Sequence, residues 1–188
     1  MEITVKGYDT RILEGPIDLL TLSKDYEKNF PCRIVAAVVN GRLKELTYGL
    51  NEDSTVEFVD LSNDVGMKIY VRSLTLLFIK ACKDIFPGCT VHIQHSLGNG
   101  LYCEIYTEKP LSEEDVDKIK ARMQELCKKD IPIKKIKMPT DDALLMFKKM
   151  GLEDKVRVLK YRKKSYVNIY DLDGLKDYLY GYMVPSTG

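Results

Sequence analysis

The chain carries two histidines, His92 and His95, and metal ligation is the first chemistry such a pair suggests. They stand three apart on a predicted strand, so they point to opposite faces and cannot jointly hold an ion unless a bulge intervenes. A local structural role or a ligand hydrogen bond is the reading that follows, and no metal site is expected. Gly98-Asn99-Gly100 lacks both G-x-x-x-x-G-K-S/T and G-x-G-x-x-G and joins two predicted strands, with no helix N-terminus to receive a phosphate. It reads as a hairpin turn. The absence of a P-loop excludes a P-loop nucleotide kinase built from these residues alone. Lys160-Tyr161-Arg162-Lys163-Lys164, beside Arg157, interleaves cations with an aromatic, a pattern that can hold phosphate or RNA. A solvated turn between two strands explains the run equally well, and both readings stand. Lys128, Lys129, Lys134, Lys135 and Lys137 extend the patch if they share its face. Glu113, Glu114 and Asp115 sit at a predicted helix start, and Asp171 and Asp173 at a turn, so neither group reads as a catalytic pair. Two histidines on one strand give no Ser/His/Asp triad, and no catalytic residue is expected.

Composition narrows the classes. Of 188 residues, 45% are hydrophobic and 30% charged, which excludes global disorder. The 29 Lys+Arg against 28 Asp+Glu leave a net charge of +1, with no whole-chain attraction to nucleic acid or anionic lipid. Such a partner would need a local patch. No apolar run approaches the ~18–20 residues of a membrane span, and MEITVKGYDT lacks a signal-peptide core. The five cysteines are scattered and form no Cys-x-x-Cys, which argues for a reducing cytoplasm and against a disulfide framework or zinc knuckle. A cytoplasmic protein without membrane contact is expected.

The elements that must position these residues fall into two halves. Ile3 and Val5, then Arg11 to Leu13, flank a turn and predict a hairpin. Pro16 suits the first turn of a helix carrying Ile17, Leu19, Leu20 and Leu22 to about Lys28, and Pro31 bars its continuation. Ile34–Val39, the turn Asn40-Gly41, and Thr55–Val59 complete a ββαβ(β)β unit of about sixty residues, the pattern of a β-grasp (ubiquitin-like) fold. After a hinge near Asp60–Asp64, apolar spacing predicts a helix from Met67 to Phe86, then a hairpin over Thr90–Tyr106 and a capped helix from Ser112. A strand over Ile131–Met138, a helix over Thr140–Met150, and strands over Val156–Leu159 and Ser165–Tyr170 follow. The class is α+β, with long helices packed on an antiparallel sheet.

Several segments, in order, resemble the N-terminal half of threonyl-tRNA synthetase. Val38-Val39-Asn40-Gly41-Arg42-Leu43 is similar to the hairpin of that family's TGS domain, a β-grasp unit. Asn99-Gly100-Leu101-Tyr102-Cys103-Glu104-Ile105 looks like a strand of its editing domain. Leu111–Val116 to Arg122-Met123, Lys129–Pro132 and Val184-Pro185-Ser186-Thr187-Gly188 continue the match. The resemblance implies a TGS-like domain over 1–62 and an editing-like domain over 64–188. In the family, hydrolysis of mischarged seryl-tRNA uses a His-x-x-x-His pair on the long helix and a Cys-x-x-x-His pair before the terminal motif. Here Arg72 and Leu76, then Leu179 and Met183, stand at those positions. Arginine stays protonated, leucine has no donor atom and methionine is at best a soft ligand, so editing chemistry is not expected.

The same two-domain front end with a degenerate editing site also looks like that of bacterial uridine kinase-like proteins of the phosphoribulokinase/uridine kinase group. That likeness implies a non-catalytic binding or regulatory region ahead of an ATP- and magnesium-dependent nucleoside kinase domain, its partner in the same chain. In a persisting cleft, Arg72 would pair with a phosphate or carboxylate of a nucleotide or small anion. Tyr102 and Tyr182 would stack on a base or ribose, and His95 and Asn99 would supply hydrogen bonds. The competing readings are an aminoacyl-tRNA editing fragment and a stand-alone tRNA- or nucleotide-binding module.

Overall fold

β1 (Glu2–Val5) buries Ile3 and Val5 on alternate positions and pairs antiparallel with β2 (Thr10–Ile12) across a turn in which Gly7 takes φ +84°. The computed structural model describes residues 1–98 and 100–188, and these pack as two units, residues 1–131 with 181–188 and residues 132–180. Asn99 lies outside the described residues. No helix among them is long and apolar enough to cross a membrane.

The helix expected from Pro16 to Lys28 is shorter. Ile17 and Asp18 form a two-residue strand, β3, against β6 (Gly49–Leu50), which keeps Ile17 extended. Asp18 then caps α1 (Leu19–Lys24), its Oδ1 accepting from the Thr21 amide at 2.8 Å. A 3₁₀ turn over Glu27–Asn29 replaces the remainder. β4 (Ile34–Val39) and β5 (Arg42–Glu45) meet at Asn40 and Gly41, with φ of +47° and +77° as the tight hairpin requires. With β7 (Ser54–Asp60) the order is β2-β1-β7-β4-β5, in which β1 and β7 run parallel and the other pairs antiparallel. β4 is buried on both faces, which explains its unbroken apolar run. Ile34, Ala37 and Val39 join Leu19 and Leu22 of α1 in one core, and Ala36 packs on the other side with Val59 and Ile69.

α2 (Asp64–Ile85) starts at Asn63, whose side chain accepts from the Val65 amide at 2.8 Å, and buries Ile69, Ser73, Leu76 and Leu77 at helical spacing. A two-stranded ribbon, β8 (Thr90–Leu97) and β9 (Gly100–Tyr106), follows, then α3 (Glu113–Lys128), opened by a reciprocal capping box between Ser112 and Asp115. The two long helices are tied by charge. Asp84 accepts from Lys80 at 2.7 Å and from Arg122 at 2.8 Å, and Arg122 and Lys129 each reach Glu125 at 2.7 Å.

Burial alone would raise the Asp84 carboxyl, but hydrogen bonds from Lys80 and Arg122 outweigh it and hold the group below the usual carboxylate range. Lys129, then Arg122, lower Glu125 to about 2. A carboxylate lowered in the folded state contributes stability that is fully present above its ordinary pKa of ~4 and is lost as pH falls through the folded value. Arg122→Ala removes a cation from both groups. Acid unfolding followed by circular dichroism is therefore expected at higher pH in this variant than in the wild type, and identical midpoints would contradict the pairing.

The second unit contains β10 (Lys134–Pro139), α4 (Thr140–Lys149), α5 (Glu153–Lys160), β11 (Tyr166–Leu172) and β12 (Leu175–Asp177), in the antiparallel order β10-β11-β12. The strand expected over Val156–Leu159 is the helix α5. Its buried residues are Val156 and Leu159, three apart on one helical face, packed with Phe147, Val167 and Ile169. The class is α+β, with five α-helices among the described residues. The antiparallel strands of the second half form two sheets, one in each unit, in place of the single sheet expected.

Candidate functional site

Three of the four positions that the resemblance assigns to hydrolysis lie in the first unit. On one turn of α2, Arg72 is half-buried, Ser73 is buried and Leu76 is fully buried. Segment 181–188 runs past them without regular structure, so its backbone groups need side-chain partners. Arg72 Nη1 donates to the Tyr182 carbonyl at 2.8 Å. The Val184 amide donates to Ser73 Oγ at 2.9 Å, and the Met183 amide to Glu45 Oε1 at 3.1 Å. Thr187 Oγ1 donates to the Leu126 carbonyl at 2.6 Å, and the Gly188 amide to Asp130 Oδ1 at 3.1 Å. Gly181 makes the Arg72 contact possible. It sits at φ +123°, and a Cβ there would lie 2.5 Å from Arg72 Cζ. Met183 is 2% exposed. Where hydrolysis would require free imidazole or thiolate groups, Arg72 is engaged by backbone and Leu76 and Met183 are packed. Leu179, at the fourth position, is half-buried in the second unit.

Of the five residues expected to bind a ligand, the four described ones fall into two pairs. Arg72 and Tyr182 meet through the Tyr182 carbonyl, while the Tyr182 side chain packs on Ala36, Val59 and Ile69. His95 and Tyr102 meet on the β8–β9 ribbon, ring centroids 5.3 Å apart. Asn99 lies outside the described residues.

The ribbon corrects the expectation that His92 and His95 face opposite ways. His92 pairs with Glu104, Ile93 with Cys103, and His95 with Tyr102, so Gln94 is an extra residue at a bulge. The bulge turns a spacing of three into an effective spacing of two, and both histidines share a face with Tyr102, Glu104 and Tyr106. Glu104 is the hub of that face. It accepts from Gln94 Nε2 at 2.7 Å, Tyr106 Oη at 2.8 Å and Tyr102 Oη at 3.2 Å. The first two of these hydrogen bonds lead in holding its carboxyl below the usual range, and accepting from Tyr106 raises that phenol. Sequence reasoning missed Gln94, Glu104 and Tyr106, although the alternation Tyr102, Glu104, Tyr106 signals one strand face. The opposite face, with Ile93 and Cys103, borders a groove of about 410 Å³ with Leu74, Thr75 and Phe78 of α2 and Met123 of α3.

The basic run belongs to the second unit. That unit carries twelve Lys+Arg against seven Asp+Glu, net +5, whereas the first carries 17 against 21, net −4. Residues 161–165 lead from α5 into β11, and Thr140 anchors this loop, its amide donating to the Ser165 carbonyl at 3.0 Å and its hydroxyl to the Lys164 carbonyl. Tyr161 and Tyr180 are 86% and 80% exposed. Arg162 lies 5.6 Å from the Tyr180 ring, and Lys137 lies 4.7 Å from the Tyr166 ring. Lys135 and Lys137 share one face of β10, paired with Tyr170 and Asn168, while Lys134 falls on the other face. Lys128 and Lys129 belong to the first unit. Cations interleaved with exposed aromatic rings suit a polyanion with stackable bases.

No protein-family profile matches the chain. Among curated proteins, the threonine–tRNA ligase of Methylobacillus flagellatus is 29% identical over 179 residues, covering 95% of this chain and 28% of the ligase. That of Marinobacter nauticus is 29% identical over 187 residues, covering 99% of this chain and 29% of the ligase. That of Desulforamulus reducens is 26% identical, covering 100% and 30%. The chain is homologous to part of threonine–tRNA ligase and spans under a third of the length of these relatives. Nothing in these comparisons supports the expected uridine kinase parent, and homology to a ligase conflicts with it.

Proposed function

We propose that this chain is a tRNA-holding region of a threonyl-tRNA synthetase-like protein, one that leaves the aminoacyl ester intact. The observation that carries the reading is the state of the hydrolytic positions. Arg72 is engaged by the Tyr182 carbonyl, and Leu76 and Met183 are packed in a chain similar to the ligases from end to end. The five-stranded order with a parallel β1–β7 pair and α1 across one face supports a TGS-like β-grasp domain over residues 1–62. Residues 64–188 then make up the degenerate editing-like domain. The surface around Tyr161, Arg162, Lys163 and Lys164 supplies the contact with tRNA.

Binding of a threonine-accepting tRNA to the full chain, followed by fluorescence anisotropy over a salt series, tests this reading. Each phosphate contact steepens the fall of log K against log salt by ~0.9. Binding with a slope of several units is the expected result. Absence of binding, or salt-insensitive binding, would overturn it.

A further inference from the structure

We propose that His92, His95 and Glu104 form a site for a borderline divalent cation of the Zn²⁺ type on the exposed face of the β8–β9 ribbon. The bulge at Gln94 is the structural basis. His92 and Glu104 are cross-strand partners, and His95, paired with Tyr102, is diagonal to Glu104. On one face of an antiparallel pair, direct partners have Cβ atoms ~5 Å apart and diagonal ones ~7–8 Å apart. Imidazole and carboxylate arms from such positions converge on an ion with Zn–N and Zn–O bonds of ~2.0–2.2 Å.

The donor set selects the cation. Two imidazoles with one carboxylate fit Zn²⁺ and its neighbours rather than Mg²⁺ or Ca²⁺, and water completes the coordination. Glu104 accepts hydrogen bonds from Gln94, Tyr102 and Tyr106, which hold its carboxylate on the face that the two histidines share. Tyr102 and Tyr106 become the outer partners that orient the carboxylate once it gives one oxygen to the metal. In the conformation seen, no three such side chains among the described residues converge on one point. The imidazoles instead lie against the Tyr106 and Tyr102 rings, at 5.5 and 5.3 Å between centroids. Binding therefore requires both exposed imidazoles to turn away from these rings. The site is separate from Arg72, Leu76 and Met183 on α2 and segment 181–188, and it does not depend on the proposed tRNA role.

The chain has two histidines, both in the site, so their imidazole NMR resonances report on it alone. Titration of the full chain with Zn²⁺ alone is expected to shift both imidazoles together and to saturate at one ion per chain. Glu104→Gln is expected to weaken binding at least as much as the ~10–100-fold seen when an outer partner is lost. His92→Ala and His95→Ala are expected to weaken it further, with amide spectra confirming that each variant remains folded. Zn²⁺ bound only at cysteines would leave the imidazoles in place. Imidazole resonances unmoved at millimolar Zn²⁺, only one of them moving, or no effect of Glu104→Gln would each overturn the proposal.

Discussion

Gly66→Ala is expected to lower the unfolding temperature of the chain, although glycine-to-alanine changes inside helices usually stabilise by ~1 kcal/mol. The sign reverses because the first turn of α2 lies against the chain that precedes it. A Cβ at Gly66 would lie 2.0 Å from the Asp60 carbonyl oxygen, 2.9 Å from its carbon and 3.2 Å from Val35 Cγ2. The obstacle is backbone, and that backbone is pinned. Asp60 is 5% exposed, and its Oδ1 accepts from the Ser62 hydroxyl at 2.6 Å and the Ser62 amide at 3.1 Å. Overpacking of this kind costs ~1–3 kcal/mol or more. In a chain of this length each kcal/mol is worth ~2–4 °C. Gly15→Ala is the control, since nothing lies within 4 Å of its Cβ position. Differential scanning calorimetry should show a fall of several degrees for Gly66→Ala and almost none for Gly15→Ala. A Gly66→Ala chain as stable as the wild type would contradict the close approach.

Tyr161→Ala is expected to weaken tRNA binding strongly while leaving the fold intact. Tyr161 is 86% exposed, so its removal takes little from the core, and exposed substitutions of this kind stay within ~0.5 kcal/mol. A base stacked on such a ring contributes ~1–3 kcal/mol by alanine substitution, about 5- to 150-fold in Kd. Lys163→Ala and Lys164→Ala act differently. On the proposed tRNA surface each would remove one phosphate contact, and the expected result is weaker binding whatever the sequence and a salt slope lower by ~1. Anisotropy measured at two salt concentrations separates the two effects, and a Tyr161→Ala chain that binds like the wild type would remove the loop from the interface.

Local signals carried much of the fold. Asn40-Gly41 fixed the β4–β5 turn, and Ser112 with Asp115 fixed the start of α3, because both act through neighbouring backbone. Errors came where distant pairing decided the outcome. Ile17 was taken from a helix by its partner Leu50, and Val156 to Leu159 became helical because Phe147, Val167 and Ile169 offered one face to pack against. The candidate site was legible only in part. Arg72 was identifiable by type and position, but its partner is a carbonyl 110 residues away, which spacing cannot reveal. The shared face of His92 and His95 depends on a bulge, and Gln94 has no special residue type to announce one.

The central claim is that the chain holds tRNA without cleaving its ester, and incubation of seryl-tRNA with the full chain at saturating concentration, with the ester followed over time, tests it most directly. With Arg72 held by the Tyr182 carbonyl and Leu76 and Met183 packed, the ester is expected to decay at its uncatalysed rate. Hydrolysis accelerated by the chain would contradict the account and return the region to the editing enzymes.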